Sequence, residues 1–305
     1  MNVNKHAIKL TAAAVAGTFA FYGAFSYWAG IKAEETLTEQ HQMIAAMSVS
    51  AEPIFVPATG DTGHLPDYAA LPSDILDRTA IVYICSPANP QGAVASREYW
   101  RGLLALAEKH DFRIFADECY SEIYRGEAPA GALEVATEKG ADPERVVIFH
   151  SLSKRSNLPG LRSGFVASGP ENISRIRKLR AYSGAPLPGP LQAAAAKVWA
   201  DEAHVVENRA LYVEKYTIAD EVFAGLEGYV SPNSGFFLWL PVADGEDAAL
   251  KLWQQTGVRV LPGAYLAQGS GDENPGKGYI RVALVAAPEV TREALSKLRR
   301  CLYDD

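Results

Sequence analysis

From Ala51 onward, short apolar runs alternate with amphipathic stretches, and this alternation restricts the folds open to the chain. The runs typical of strands are EPIFVP around Ile54, TAIVYIC around Val82, RIFAD ending at Asp117, VVIFHS ending at Ser151 and SGFVAS around Phe165. Apolar residues at helical spacing predict a helix over residues 97–110, between two of these runs. Strands that alternate with helices indicate an α/β domain with a largely parallel sheet.

A second group of elements follows towards the C-terminus. Helices are predicted over residues 190–200, 202–226, 246–255 and 291–303, and strands in GFFLWL near Phe237, VRVLPG near Val260 and YIRVAL near Arg281. This order predicts a smaller α+β domain packed beside the first. We therefore expect three regions: a hydrophobic helix with its connector (1–48), a partial large domain (49–185) and a small C-terminal domain (186–305).

The N-terminal region has a different composition. Residues 10–31, which begin at Leu10 and end at Ile31, contain no charged side chain. Because about 20 apolar residues suffice to cross a bilayer as a helix, we predict a transmembrane segment that anchors the chain in the inner membrane. Two lysines before the run and aromatic residues at its far end favour this interpretation. A cleaved signal peptide and a buried alanine-rich helix are the alternatives.

Composition excludes several classes of function. The chain has 29 basic and 36 acidic residues and a formal net charge of −7, so it has no basic surplus to neutralise phosphates. We therefore predict that it does not bind nucleic acid. Its three cysteines, Cys85, Cys119 and Cys301, lie far apart, without the paired spacing of a zinc site. Reduced thiols and no metal site are expected.

Four short motifs follow one another along the chain, three of them at predicted strand ends. SPANPQG contains Asn89, DECY contains Asp117 and Tyr120, SLSKRSNLPGLR contains Ser151, Ser153, Lys154 and Arg162, and YIRVAL contains Arg281. Ligands of parallel sheets collect at the carboxyl ends of strands, so we expect these side chains to lie close together. Singly, each motif has an ordinary explanation as a turn or a surface charge. Their joint order favours one site.

The residue types match what pyridoxal 5′-phosphate (PLP) requires of a protein. Its aldehyde needs an amine of depressed pKa, which Lys154 provides. Its ring nitrogen needs a buried carboxylate, for which Asp117 is the candidate. Its phosphate needs hydroxyls and an arginine, and its phenolic oxygen needs neutral donors. The candidates for these two groups are Ser151, Ser153 and Arg162 for the phosphate, and Asn89 and Tyr120 for the phenolic oxygen.

The motifs SPANPQG, DECYSEIY and SLSKRSNLPGLRSG resemble those of class I/II aminotransferases of PLP fold type I. From about Ala51 to its end, the chain most resembles the N-succinyldiaminopimelate aminotransferases of bacterial lysine biosynthesis. This narrower resemblance rests on SLSKRSNLPGLRSGFV, on DEAHVVENRALYVEKY from Asp201, and on VLPGAYLA followed by NPGKGYIRVALV. It implies the α/β fold of that group, with a mainly parallel sheet in the large domain.

The resemblance also implies roles for individual residues. Lys154 attaches the cofactor and moves the proton at the substrate α-carbon, while Asp117 pairs with the ring nitrogen. The remaining implied contacts are Asn89 and Tyr120 with the phenolic oxygen, Ser151, Ser153 and Arg162 with the phosphate, and Arg281 with the substrate α-carboxylate. The implied reaction moves an amino group from glutamate to the keto form of an N-succinylated substrate. Its implied setting is a cytoplasmic homodimer that takes amino acids and keto acids.

Family members begin with a segment that supplies a phosphate-binding turn, an aromatic residue stacked on the ring and residues of the neighbouring site. Recognisable similarity here starts near Ala51. We therefore expect weakened PLP binding, an open sheet edge and impaired activity. Two alternatives stay open: an aspartate-type or aromatic-type aminotransferase, and a membrane-anchored non-catalytic domain. His150 precedes SLSK where a small residue is expected, and we interpret it as a strand-end histidine.

Overall fold

The computed structural model describes residues 51–182, 186–269 and 271–304. The transmembrane helix predicted over residues 10–31 lies outside this part of the chain. Among the helices of the described part, none combines the length and the apolar character that a bilayer crossing requires.

Four strands form the larger sheet, in the order β1-β2-β3-β4. They are β1 (Ile81–Cys85), β2 (Arg113–Asp117), β3 (Val146–Ser151) and β4 (Gly164–Ala167). The first three are parallel, as predicted, whereas β4 is antiparallel to β3. Only a short helix and a 3-10 turn separate β3 from β4. The chain therefore reverses at this edge instead of making the longer crossover that a parallel neighbour needs.

Five helices accompany this sheet. They are α1 (Ser73–Arg78), α2 (Arg97–His110), α3 (Ala132–Glu138), α4 (Leu152–Arg155) and α5 (Pro170–Arg180). Helix α2 has the predicted bounds because Ser96 caps its N-terminus, accepting a hydrogen bond from the Tyr99 amide, and Asp111 ends it in the left-handed conformation. The apolar side of α2 packs with α3 on one face of the sheet, around the fully buried Trp100.

The second sheet has three antiparallel strands in the order β5-β7-β6. They are β5 (Phe237–Pro241), β6 (Leu261–Pro262) and β7 (Tyr279–Ala283). The accompanying helices are α6 (Gly189–Trp199), α7 (Ala203–Val222), α8 (Gly245–Thr256) and α9 (Pro288–Leu302). A second hydrophobic core forms between this sheet and helices α7 and α9, and it includes Tyr120 and Ile123 from the loop after β2. The two sheets therefore meet at that loop.

The strand predicted around Ile54 is wrong. Residues 51–59 form no regular element, and both Ile54 and Phe55 are 46% exposed. Prolines at positions 53 and 57 explain this, because proline has no backbone N–H to donate to a strand ladder.

Candidate active site

Asp117 lies at the carboxyl end of β2, level with Cys85 on β1. Its carboxylate Oδ1 accepts a hydrogen bond of 3.1 Å from the Cys119 amide, which fixes the side chain. Strand β2 ends here, and the next two residues, the buried Glu118 and the half-buried Cys119, belong to the loop and turn that follow it. The DECY motif thereby presents one half-buried carboxylate at the end of the sheet.

Lys154 lies in α4, the single helical turn after β3. Ser151 caps this turn, because its hydroxyl accepts a hydrogen bond of 3.1 Å from the Ser153 amide. The Lys154 ammonium lies beside two neighbouring aromatic rings, 5.6 Å from the Tyr120 centroid and 5.0 Å from the Phe236 centroid. Burial lowers the pKa of Lys154 below its ordinary value. A larger share of this amine is therefore neutral and nucleophilic than in a solvated lysine.

Nearby charges act on the same amine in both directions. Arg281 and Arg162 lower the Lys154 pKa, whereas Asp117 raises it. These effects fall off with distance, so the lysine, the carboxylate and both arginines share one electrostatic neighbourhood. The predicted site residues on the two sheets are thus brought to one place.

The three candidate phosphate ligands line a single pocket. Ser151, Ser153 and Arg162 face it together with Cys119. Arg162 has a left-handed backbone (φ 55°) and its guanidinium donates a hydrogen bond of 2.9 Å to the Pro159 carbonyl. Desolvation lowers the Arg162 pKa, yet an arginine stays charged at neutral pH. Two hydroxyls and a guanidinium are a donor set suited to a phosphate dianion.

The residues predicted at the phenolic oxygen lie at the junction of the two sheets. Tyr120 is 6% exposed, and burial raises the pKa of its hydroxyl well above the ordinary value. The hydroxyl therefore stays protonated and can donate a hydrogen bond. Asn89 follows β1, and its side-chain oxygen accepts a hydrogen bond of 3.0 Å from Arg281. The Arg281 guanidinium also lies 4.3 Å from the ring centroid of Phe237.

Three residues of this neighbourhood were not predicted from the sequence. Cys119 lines the pocket of Ser151, Ser153 and Arg162, Phe236 packs against the Lys154 ammonium and Phe237 contacts the Arg281 guanidinium. The run GFFLWL indicated only a strand, because its pattern does not reveal which aromatic rings face another sheet. Cys119 belongs to the turn after β2, where the strand pattern has ended and no longer indicates the direction of a side chain.

His150 is a residue of β3, as the strand-end interpretation proposed. Its ring Nε2 lies 3.2 Å from the Glu118 carboxylate, and its ring stacks on Phe165 at 5.0 Å. Glu118 is buried and also accepts a hydrogen bond of 2.7 Å from the Ala132 amide. His150 also lines the pocket of Ser151, Ser153 and Arg162, so its contact with Glu118 lies directly beside the candidate site.

Comparison with known proteins identifies the family. A family model described as aminotransferase class I and II matches residues 39–298. The chain belongs to this family. The resemblance inferred from the motifs SPANPQG, DECYSEIY and SLSKRSNLPGLRSG is therefore confirmed, as is the α/β fold expected for the described part of the chain.

Individual relatives agree with this assignment. The chain is 31% identical over 269 residues to an LL-diaminopimelate aminotransferase of Syntrophobacter fumaroxidans, covering 85% of this chain and 66% of the relative. It is similar to the crystal structure of an aminotransferase from Neisseria meningitidis, with a TM-score of 0.79, 37% identity, and coverage of 85% and 66%. It also resembles a probable N-succinyldiaminopimelate aminotransferase from Thermus thermophilus, with a TM-score of 0.74, 27% identity, and coverage of 86% and 68%.

The chain spans slightly less than two thirds of the length of the first curated relatives that it matches, 66% and 65%. Aminotransferases of this class depend on PLP, and the donor set of the site fits that cofactor. It offers a buried amine of lowered pKa, a carboxylate fixed by a backbone amide, and a pocket with two hydroxyls and a guanidinium.

Proposed function

We propose that the protein is a PLP-dependent aminotransferase whose cofactor is attached to Lys154. The observation that carries the proposal is the position of the Lys154 amine, desolvated beside Tyr120 and Phe236 in the electrostatic neighbourhood of Asp117 and Arg281. A solvated surface lysine is mostly protonated at neutral pH and makes a poor nucleophile. The burial of this amine supports a covalent role.

The other residues would divide the binding of the cofactor among them. Asp117 would pair with the ring nitrogen, and Asn89 and Tyr120 would donate to the phenolic oxygen. The candidates for the phosphate are Ser151, Ser153 and Arg162. When bound, PLP supplies an electron sink that weakens the substrate's α C–H bond. The protein contributes orientation, exclusion of water and the electrostatic environment.

Arg281 and Lys154 would act on the amino acid substrate. The Arg281 guanidinium can bind the α-carboxylate through two parallel hydrogen bonds, which fixes the direction of the α C–H bond. The Lys154 amine would then accept the α-proton on its Nζ and return it to the carbon on the other side of the transferred nitrogen. Its lowered pKa suits this task, because a base of very high pKa is already protonated at neutral pH.

The substrate is proposed from the relatives and the motif resemblance. We propose an amino acid of the diaminopimelate class, with glutamate or its keto acid as the partner substrate. The motifs favour an N-succinylated form, whereas the curated relatives at 31% and 30% identity are named for LL-diaminopimelate. Both forms carry an α-carboxylate that Arg281 could bind.

Two further expectations belong to this proposal. We propose the division into a large domain (49–185) and a small domain (186–305), because each sheet has its own hydrophobic core. We also propose that the active form is a homodimer in the cytoplasm, since class I/II aminotransferases share residues between subunits.

Half-reactions test the proposed function. The purified chain is saturated with PLP, and L-glutamate, LL-diaminopimelate, N-succinyl-LL-diaminopimelate, L-aspartate and L-phenylalanine are each added alone. We expect one of the diaminopimelate forms and glutamate to convert the cofactor to its amino form, with release of the keto acid. Conversion by aspartate or phenylalanine alone would favour the other aminotransferase types. A colourless protein that converts none of the five would favour a non-catalytic domain.

A further inference from the structure

Ser156 and His204 connect the lysine-bearing turn to the start of helix α7. Ser156 stands two residues after Lys154 and is only 8% exposed. Its hydroxyl lies 2.8 Å from Nε2 of His204, and the Nδ1 of the same ring lies 3.0 Å from the carboxylate of Asp201. Three side chains thus form a continuous chain of hydrogen bonds that begins in the loop before α7 and ends at Ser156.

The direction of these hydrogen bonds follows from their partners. The Asp201 carboxylate accepts, so His204 Nδ1 carries a hydrogen and donates it. The hydrogen bond from His204 lowers the pKa of Asp201, which agrees with an ionised acceptor. In the neutral ring Nε2 is then an acceptor, and the Ser156 hydroxyl donates to it. Asp201 therefore selects the tautomer that can receive Ser156.

Arg155, the residue between Lys154 and Ser156, is bound to the same segment. It is 6% exposed, donates a hydrogen bond of 3.3 Å to the Val198 carbonyl and forms a salt bridge with Glu202. Its guanidinium lies 5.2 Å from the ring centroid of Trp199, and its carbonyl accepts a hydrogen bond from Asn208. Both residues after the lysine are therefore held by residues 198–208.

From these contacts we infer that His204 is a positioning residue for the lysine. The inference rests on the proposed function of Lys154. Helix α4 is a single turn, so its own backbone bonds restrict the lysine only weakly. The hydrogen bond from Ser156 to His204 closes the C-terminal end of that turn, and it fixes the direction in which the Lys154 side chain leaves the backbone. His204 would act through Ser156 and touch neither cofactor nor substrate.

The matched variants are His204→Gln and His204→Phe. A glutamine oxygen can reach the place of Nε2 and accept from Ser156, whereas phenylalanine keeps a planar ring but accepts nothing. Two quantities are measured on the full chain: the rate constant at which PLP forms a borohydride-reducible bond to Lys154, and hydrogen exchange of the Ser156 and Leu158 amides. Both amides donate to the Leu152 carbonyl and so report on the turn.

We expect His204→Phe to slow bond formation at Lys154 by about tenfold, because a small misplacement of a reacting group is costly. We expect it to speed exchange of the two amides by about fivefold, as loss of one hydrogen bond predicts. The Gln variant should stay within about threefold of the native protein in both measurements. That range matches the variation in free energy among single hydrogen bonds. Ser156→Ala should behave like the Phe variant.

Several results would overturn the inference. If His204→Phe and Ser156→Ala both kept the native rate of bond formation and the native amide exchange, the hydrogen bond would not position Lys154. Equal losses in the Gln and Phe variants, or losses matched by a general fall in melting temperature, would show a merely structural role. If PLP does not bond to Lys154 in the native protein, the proposed function fails. Amide exchange would still decide whether His204 orders the turn.

Discussion

A hydrogen bond of 3.0 Å joins the Arg281 guanidinium on β7 to the side-chain oxygen of Asn89 after β1. The two residues are 192 positions apart in the chain, with Arg281 in the second sheet and Asn89 in the loop that follows β1 of the first. This hydrogen bond places Arg281, the candidate for binding the substrate α-carboxylate, beside Asn89, a candidate for binding the cofactor. The proposed reaction needs that arrangement, because the substrate α-carbon, whose C–H bond breaks, must lie between its bound carboxylate and the cofactor.

Arg281→Lys should impair substrate binding while leaving the cofactor in place. A lysine keeps the charge but cannot form two parallel hydrogen bonds to a carboxylate. We expect the apparent affinity for the amino acid to fall by about 10- to 100-fold, as loss of a charged hydrogen bond predicts. Titration of the half-reaction with glutamate measures the effect. An unchanged affinity would argue against Arg281 as the carboxylate ligand.

Asp117→Asn should abolish most activity without unfolding the protein. Asparagine can still accept the hydrogen bond from the Cys119 amide, so the local backbone should stay in place. It cannot act as the anion that keeps the ring nitrogen protonated, so we expect a rate loss on the order of 100-fold. Stopped-flow half-reactions give the rate, and a thermal melt serves as the control. A nearly native rate would contradict the assigned role.

The lowered pKa of Lys154 predicts a dependence of stability on pH. Below that pKa the folded protein carries a buried charge that costs stability. Above 10.5, the ordinary lysine value, both the folded and the unfolded state are neutral and the cost is absent. Stability attributable to this group therefore rises with pH between the folded pKa and 10.5.

Lys154→Met tests that dependence in the protein without PLP. We expect the variant to melt at a higher temperature than the native chain at pH 7, and the difference to shrink as the pH approaches 10.5. Lys109→Met, at an exposed position of α2, is the matched control and should show no such trend. A destabilised Lys154→Met variant at pH 7 would contradict a costly buried charge.

Gly164→Ala should disturb the proposed phosphate pocket through the backbone. A Cβ at Gly164 would lie 2.4 Å from the His150 carbonyl oxygen and 3.5 Å from the Ser151 Cα, so β3 and β4 must move apart. We expect a loss of about 1–3 kcal/mol in the free energy of unfolding, together with weaker PLP binding. Denaturant unfolding and PLP titration measure the two effects.

Gly160→Ala is the control for that substitution. A Cβ at Gly160 meets no atom within 4 Å, so the free energy of unfolding should change by less than about 0.5 kcal/mol. Equal effects of the two substitutions would show that contact between the β3 and β4 backbones does not determine the pocket.

Local sequence patterns predicted those helices and strands whose ends are marked by a capping or polar residue. Helix α2 has the predicted bounds because Ser96 and Asp111 mark its ends, and β2 and β3 end at Asp117 and Ser151 as expected. Helix α5 was not predicted, because its sequence PENISRIRKLR contains few apolar residues to mark a buried face. Its position depends on tertiary contacts, including those of Asn172 with Glu144.

For the candidate site, too, some features were predicted from the sequence and others were not. The residue types and their positions at strand ends were predicted from the motifs, and the structure brings Lys154, Asp117 and Arg162 into one neighbourhood. The contact of Arg281 with Asn89 was not predicted, because local patterns do not tell how two sheets face each other. The same limit explains why Phe236 and the link between Ser156 and His204 were missed.

The most direct test of the account is reduction of the PLP-treated protein with borohydride, followed by digestion and peptide mass analysis. We predict one pyridoxyl group, found on the peptide that contains Lys154, and its disappearance in the Lys154→Met variant. The absence of a stable label would contradict the assignment of Lys154 as the residue that holds the cofactor. Labelling of exposed lysines to the same extent in the native protein and in the Lys154→Met variant would contradict it as well.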